Sequence, residues 1–354
     1  MSLTIPPTVD SFPDPILTAN LYCRDHLDHV IQQVVLPLSR DLSEIDAAGT
    51  GYVWVVRYGR CGEHLKVRVH APEQCRPRLQ ESLAIHAGAL FAALGEPVTT
   101  GRPEPEPEVA VPPIDIEDAA TVNFPDRSLL WTQYRRSHIS LGGKPFLDDD
   151  HYVTLITICL GQACERVLGA FASRGEISHS HRQTVLLDSV INGLAAVGLT
   201  AGMRAAYLEF HRDWLLRFNL VRNRVDAERT RAFLDRFERR AESAVTVLSQ
   251  LRDMTAEHWS EPPCKAARAT ACHGTWGRSL LDLLDYVRPL SADPDYHLDP
   301  FADDPAFPVL FKTLHGLANQ LGLKMLDEAL AYHLLLRAIS GASSGVLEVA
   351  LIPP

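Results

Sequence analysis

The chain lacks the short motifs that announce the commonest enzyme classes. No P-loop, HExxH or GxGxxG pattern occurs among its 354 residues, so nothing marks a P-loop NTPase, a zinc protease or a dinucleotide enzyme. It has no uninterrupted apolar run of about 18 residues, the length that reads as a membrane span. The opening segment, MSLTIPPTVDSFPDP, has no basic stretch followed by an apolar one, so a signal peptide is not expected. A basic surplus is also missing. Lys and Arg number 34 against 44 Asp and Glu, a net charge of −10, which argues against general nucleic-acid binding. The seven cysteines (23, 61, 75, 159, 164, 264 and 272) are scattered, odd in number and form no CxxC pair. That usage fits free thiols in a reducing cytoplasm. Cys264 with Cys272-His273 gives at most part of a metal site and a fourth ligand is not evident, so no metal is expected.

What is present is an ordinary globular composition, 46% apolar and 22% charged, in a chain long enough for a large core and one or two domains. The most informative stretch is YVWVVRYGRCGEHLKVRVH, from Tyr52 to His70. It predicts two strands, Tyr52–Tyr58 and His64–His70, around a turn containing Gly59, Cys61 and Gly62. Alternation puts His64, Lys66, Arg68 and His70 on one face and Leu65, Val67 and Val69 on the other. A row of four basic or titratable groups suits an anion or a developing negative charge. The same pattern also suits a solvated edge strand with its charges outward.

Around this hairpin the periodicity predicts a strand over 16–22 and helices over 26–44 and 73–94, an antiparallel sheet covered on one face by helices. Residues 101–113, GRPEPEPEVAVPP, read as a stiff proline–glutamate surface linker. From Ser128 to about residue 340 the chain reads as mainly helical, with segments 147–172, 181–199, 202–218, 227–253, 276–287, 307–322 and 324–339. Residues 260–274 and 289–308 read as loops. Tyr134-Arg135-Arg136 ahead of Gly142-Gly143 could grip a carboxylate or a peptide backbone, or could end a helix. His315 and Asn319 are four apart and share a helical face, a spacing that serves acid–base chemistry or a buried, hydrogen-bonded histidine. His179 and His181 read as a solvated helix start, and Asp148-Asp149-Asp150 as complements to a helix dipole.

Five pieces stand in a recognisable order: Leu21-Tyr22, VVLPLSRDL (34–42), RYG…HLKVR (57–68), YRR…GG (134–143) and H-xxx-N-x-LG (315–322). Together they resemble the small domain of the lantibiotic dehydratases, also called the thiopeptide-type bacteriocin biosynthesis domain, over roughly 16–338. The resemblance implies an α+β fold: a small antiparallel sheet covered by helices, then a mainly helical C-terminal portion, in a single elimination-domain-like fold over 1–354. In full-length dehydratases this domain eliminates glutamate to give dehydroalanine, and the matching positions here are Lys66, Arg68 and His315, with Arg136 beside the tyrosine. Two departures weaken that activity. Ser140-Leu141-Gly142-Gly143 stands where the family has Arg-Tyr-Gly-Gly, and Asn319-Gln320 stands where it has Asn-Arg.

Read as a standalone, diverged member, the chain is similar to the thiopeptide pyridine synthases. These join two dehydroalanines of one peptide by a formal [4+2] cycloaddition and expel water and the leader peptide. The resemblance then implies Lys66 and Arg68 as hydrogen-bond donors and His315 or Tyr58 as proton carrier. It implies Arg57, His64, Arg136 and Asn319 as substrate-binding residues. It implies no cofactor, a leader-bearing modified precursor peptide as partner, and a cytoplasmic setting, with no nucleic-acid or membrane partner. Whether the chain is a homodimer stays open. A standalone glutamyl eliminase and a catalytically silent leader-binding partner are the competing readings.

Overall fold

The computed structural model describes residues 16–59, 63–95, 125–132, 134, 136–139, 141, 146, 148–222, 227–259, 275–293, 296 and 304–340. The linker at 101–113, Arg135, Gly142-Gly143, the hairpin turn at 60–62, Cys264, Cys272 and His273 lie outside the described residues, as does much of the second expected loop. Two compact units result. The first draws on Met1–Ser140 and Phe146–Ile177, the second on Leu141–Pro145 and Ser178–Pro354.

Unit 1 is built on a four-stranded antiparallel sheet of order β2-β3-β1-β4, with β1 at Ile16–Tyr22, β2 at Tyr52–Tyr58, β3 at His64–His70 and β4 at Ser128–Thr132. The first three strands fall where alternation put them. β4 lies inside the portion read as mainly helical and was not expected: SLLWT buries Leu129 and Trp131 and pairs with β1. Five residues are too few to reveal a period against the helical pattern that follows.

One sheet face carries Leu17, Ala19, Leu21, Val53, Val55, Leu65, Val67, Val69, Leu129 and Trp131, all buried. Helices close this face. α1 (Leu27–Val30) runs through a π-helical turn (Ile31–Val35) into α2 (Leu36–Ile45), and α3 (Arg76–Ala93) lies beside them. Their apolar stripes supply Val30, Ile31, Val34, Val35, Leu38, Leu79, Leu83 and Ala87 to the same core. Asp41 fastens α2 to α3, accepting from Ser82 Oγ at 2.5 Å and lying 2.9 Å from His86 Nε2. Asp46 shapes the turn into β2, accepting from the backbone N–H of Thr50 at 2.7 Å and of Gly51 at 2.6 Å. Burial raises the pKa of its carboxyl, but these bonds outweigh that and hold it below the usual range.

α4 (Asp150–Arg174) begins at Asp149, whose carboxylate caps it by accepting from the N–H groups of His151 and Tyr152. The helix lies against β2, an edge strand. Cys164 meets the Val55 backbone, and a Cβ at Gly161 would stand 2.6 Å from Tyr52 Cβ. Glycine is what allows this approach. Over Asp150–Ser173 this helix is long and apolar enough to cross a bilayer, yet 67% of its apolar 18-residue window is buried inside the protein, as in a core helix.

Unit 2 is helical throughout its described residues: α5 (His179–Ala196), α6 (Ala201–Arg222), α7 (Ala227–Glu242), α8 (Val245–His258), α9 (Thr275–Leu290), α10 (Ala306–Gln320) and α11 (Met325–Ser340). The expected single helix over 227–253 is two, broken at Ser243–Ala244. α11 is central, packing along α6 and meeting α5, α8 and α7. Its first three turns bury Asp327 and Glu328 with Leu330, Tyr332 and Leu335. α7 presents few apolar groups and is fastened partly by charge. Arg240 reaches Asp327 at 2.9 Å, and Glu238 reaches His333 at 3.2 Å.

Candidate functional site

β3 is an inner strand, bonded to β2 on one side and β1 on the other. The solvated-edge reading therefore fails: Lys66 and Arg68 are each 3% exposed, and His64 is 2% exposed. The register sets the neighbours. Lys66 stands opposite Val56 and Asn20, Arg68 opposite Trp54 and Thr18, and His64 opposite Tyr58 and Tyr22. Directly opposed residues share a face, so one side of the sheet gathers Thr18, Asn20, Trp54, Tyr58, His64, Lys66 and Arg68.

Taking cations out of water costs several kcal/mol each unless something replaces the solvent. Aromatic rings do part of this. Lys66 Nζ lies 4.1 Å from the Tyr58 ring centre, and the Arg68 guanidinium lies 5.1 Å from that of Tyr134. Trp54 meets Tyr134 edge-on at 6.2 Å, and His64 stands between Tyr22 and Tyr58 at 4.5 and 5.6 Å. Tyr58 thus offers its ring face to a buried ammonium.

One residue expected to join this set is placed elsewhere. Arg57 points to the opposite, helix-covered face, where its Nη2 is 2.6 Å from Asp28 Oδ1 on α1. Arg136 opens a short 3₁₀ turn (Arg136–Ile139) and meets the exposed Asp150 at 2.7 Å.

In unit 2, His315 on α10 is held from α11. Its Nδ1 lies 2.7 Å from Glu328 Oε2, and the other carboxylate oxygen accepts from the Tyr332 hydroxyl at 3.0 Å. Glu328 and Tyr332 are fully enclosed, whereas the His315 side chain is 38% exposed. Burial works against a charged His315, and Lys312 adds to that. The charge and hydrogen bond of Glu328 outweigh both, so its pKa is raised. Holding Nδ1 fixes the ring's orientation and leaves Nε2 to face other groups. The partner of His315 is therefore Glu328, thirteen residues on, and the ring's hydrogen bond does not go to Asn319, one turn along α10.

Around this pair the rings form a connected cluster. Phe311 stacks on His315 at 5.4 Å and on His211 at 4.5 Å, and Tyr207 meets His211 at 4.4 Å. His211 is 5% exposed and neither ring nitrogen has a hydrogen-bond partner. Burial, with help from His315, pushes its pKa down to about 3. His333 is a second buried neutral imidazole. Its Nδ1 faces Arg212 Nη1 at 3.5 Å, and its Nε2 lies 3.2 Å from Glu238. Since arginine can only donate, the proton sits on Nε2 and is given to the carboxylate. Burial and the flanking Arg212 and Arg337 lower its pKa to about 4.

Sequence reasoning missed Glu328, Tyr332 and His211. Thr18 and Asn20 could have been found, since Thr18, Asn20 and Tyr22 alternate with Leu17, Ala19 and Leu21 along β1.

The family model described as "Lantibiotic biosynthesis dehydratase C-term" matches residues 17–339. Among solved structures, a pyridine synthase, TbtD, from thiomuracin biosynthesis is similar with a TM-score of 0.61 at 15% identity, covering 93% of this chain and 99% of that one. A second protein, TsrL, is similar with a TM-score of 0.59 at 13% identity, covering 92% and 94%. No curated protein matches the chain.

Proposed function

The chain belongs to the lantibiotic dehydratase C-terminal family, and on that premise we propose that it is a thiopeptide pyridine synthase. The observation that carries this reading is the end-to-end correspondence of its fold with that of a pyridine synthase, with 99% of the TbtD chain covered. The substrate is a leader-bearing peptide with two dehydroalanines. The amide of one, in its imidic-acid form, supplies the 2-azadiene and the other supplies the dienophile. The cycloaddition closes the macrocycle, and loss of water and of the leader as its carboxamide then aromatises the new ring to pyridine.

Two demands follow. Two distant residues of a flexible peptide must be brought together, and effective molarity of this kind is worth about 7–11 kcal/mol. The amide oxygen must also be met by donors, and protons must be moved on and off the adduct. The buried Lys66 and Arg68 are suited to the first of these polar tasks. Arg68 is the better donor to a single oxygen because its fork is rigid. His315, with Glu328 behind it, is suited to proton transfer near neutral pH. Tyr58, His64, Arg136 and Asn319 are assigned to substrate contact. Arg57 is assigned a structural task, because Asp28 engages it on the far face.

The test is mass spectrometry of the purified protein with a leader-bearing peptide carrying two dehydroalanines. The expected product is lighter by the leader and one water. An intact leader after prolonged incubation refutes the reading. A glutamyl eliminase, which the cationic strand also suits, would instead release glutamate from a glutamylated serine peptide. A silent leader-binding partner would bind and change no mass.

A further inference from the structure

The buried atoms on the polar face of the sheet that no hydrogen bond satisfies include Thr18 Oγ1, Asn20 Oδ1 and Trp54 Nε1. Their residues are 5%, 6% and 0% exposed. An unpaired polar atom in an interior is destabilising, and native proteins retain few of them. Here these three fall in two adjacent cross-strand rows of one face. Trp54, Arg68 and Thr18 form one row, and Val56, Lys66 and Asn20 form the next.

Their chemistry narrows the ligand. The indole Nε1–H of Trp54 can only donate, and the Asn20 amide oxygen can only accept. A carboxylate or phosphate satisfies the first and is repelled by the second. A group that accepts at one end and donates at the other satisfies both. Trp54 and Asn20 sit two strands apart and in adjacent rows, about 12 Å between their backbones at the usual spacings. A trans amide with a hydrogen bond at each end spans about 8 Å, a length that leaves room for the two side chains to reach it. Arg68 and Lys66 lie on the strand between them.

The geometry points to Thr18, Asn20 and Trp54 as ligand-contacting residues that, with Arg68 and Lys66, read one backbone amide of the substrate peptide. The amide oxygen meets Trp54 Nε1–H and Arg68, and the amide N–H meets Asn20 Oδ1. Thr18, able to donate or accept, closes the row. This assignment rests on the reading that the substrate is a peptide, but it does not require the peptide to be cyclised.

Binding and turnover are therefore measured separately. The probe is a fluorescently labelled, leader-bearing peptide with two dehydroalanines, followed by anisotropy with the full-length chain. Asn20→Leu, Trp54→Phe and the near-isosteric Thr18→Val are each expected to bind at least tenfold more weakly. Their thermal midpoints should equal or exceed that of the parent, because each removes an unpaired buried atom. Folded Asn20→Leu and Thr18→Val with parental affinity overturn the assignment, and so does a parent protein that does not bind the peptide. Competition by inorganic phosphate that disappears in Trp54→Phe also overturns it in favour of an anion site. Failure of turnover with binding intact overturns the cyclase reading alone.

Discussion

In unit 1 the buried cations Lys66 and Arg68 sit on a strand, each against a tyrosine ring, in a register fixed by pairing on both sides. In unit 2 the buried titratable groups sit on helices and are set by partners far along the chain, Glu328 for His315 and Glu238 for His333. The difference is one of how pKa values are set. A guanidinium stays charged in any protein interior, so unit 1 holds a permanent charge. Unit 2 spreads three imidazoles apart, His315 upward and His211 and His333 downward. Groups driven apart in this way are suited to acid and base tasks.

The comparison can be broken most directly at Arg68. Arg68→Gln keeps hydrogen-bonding capacity and removes the charge. If unit 1 supplies a fixed positive potential to a developing oxyanion, kcat should fall about 10²–10³-fold, the usual cost of an oxyanion donor. Steady-state kinetics with circular dichroism as a folding control decides this, and an unchanged kcat removes β3 from the site.

The matching change in unit 2 is Glu328→Gln. It keeps an acceptor near His315 Nδ1 but removes the charge that raises the histidine's pKa. Loss of such a supporting partner typically costs about 10–100-fold. The informative readout is the pH profile, whose His315 limb should move to lower pH. A fall in rate with an unmoved profile would make Glu328 merely structural.

Stability against pH separates the units further. His211 and His333 have folded pKa values lowered to about 3 and about 4, so the unfolded chain binds protons that the folded one refuses. Stability is then fully present above the unfolded histidine value and is lost as pH falls below it. Each imidazole should cost about 2 kcal/mol between pH 6.5 and 5. His211→Phe should remove its share, which urea denaturation at the two pH values would detect. In unit 1, Asp41 and Asp46 have lowered pKa values, so their contribution persists until pH falls into the carboxylate range. The smallest effect is expected at Arg240, about half-exposed and paired with Asp327. Arg240→Gln should cost under about 1 kcal/mol, and less in high salt.

The same contrast explains what the sequence made legible. A strand's side chains alternate, so His64, Lys66 and Arg68 could be placed on one face from spacing alone, and the structure keeps them there. What the face looked onto was not legible. Burial of Lys66 and Arg68 follows from β3 lying between two strands, a matter of topology. β4, which flanks β1, was masked by its shortness. Apart from the break at Ser243–Ala244, the helices of unit 2 were found to within a few residues because their apolar periodicity is sustained. The pairing of α10 with α11 could not be read that way. His315 and Glu328 belong to different helices, and their meeting depends on the Leu321–Lys324 turn and on packing angles. Asn319 was the partner that local spacing suggested, and a tertiary contact took its place. Glu328 has its own period-based disguise, since an acidic residue in the first turn of a helix ordinarily complements the dipole at the surface.

One border of the sheet has a consequence for what can be added to it. With α4 laid along β2, and glycine at 161 letting the two backbones come close, that margin cannot recruit an incoming segment by strand addition. Variation that lengthened position 161 by even a methyl would push the helix off and open a sticky seam. If the polar face meets the peptide as proposed, changes in what it accepts fall on side chains across the sheet's surface, with its outline left as it is.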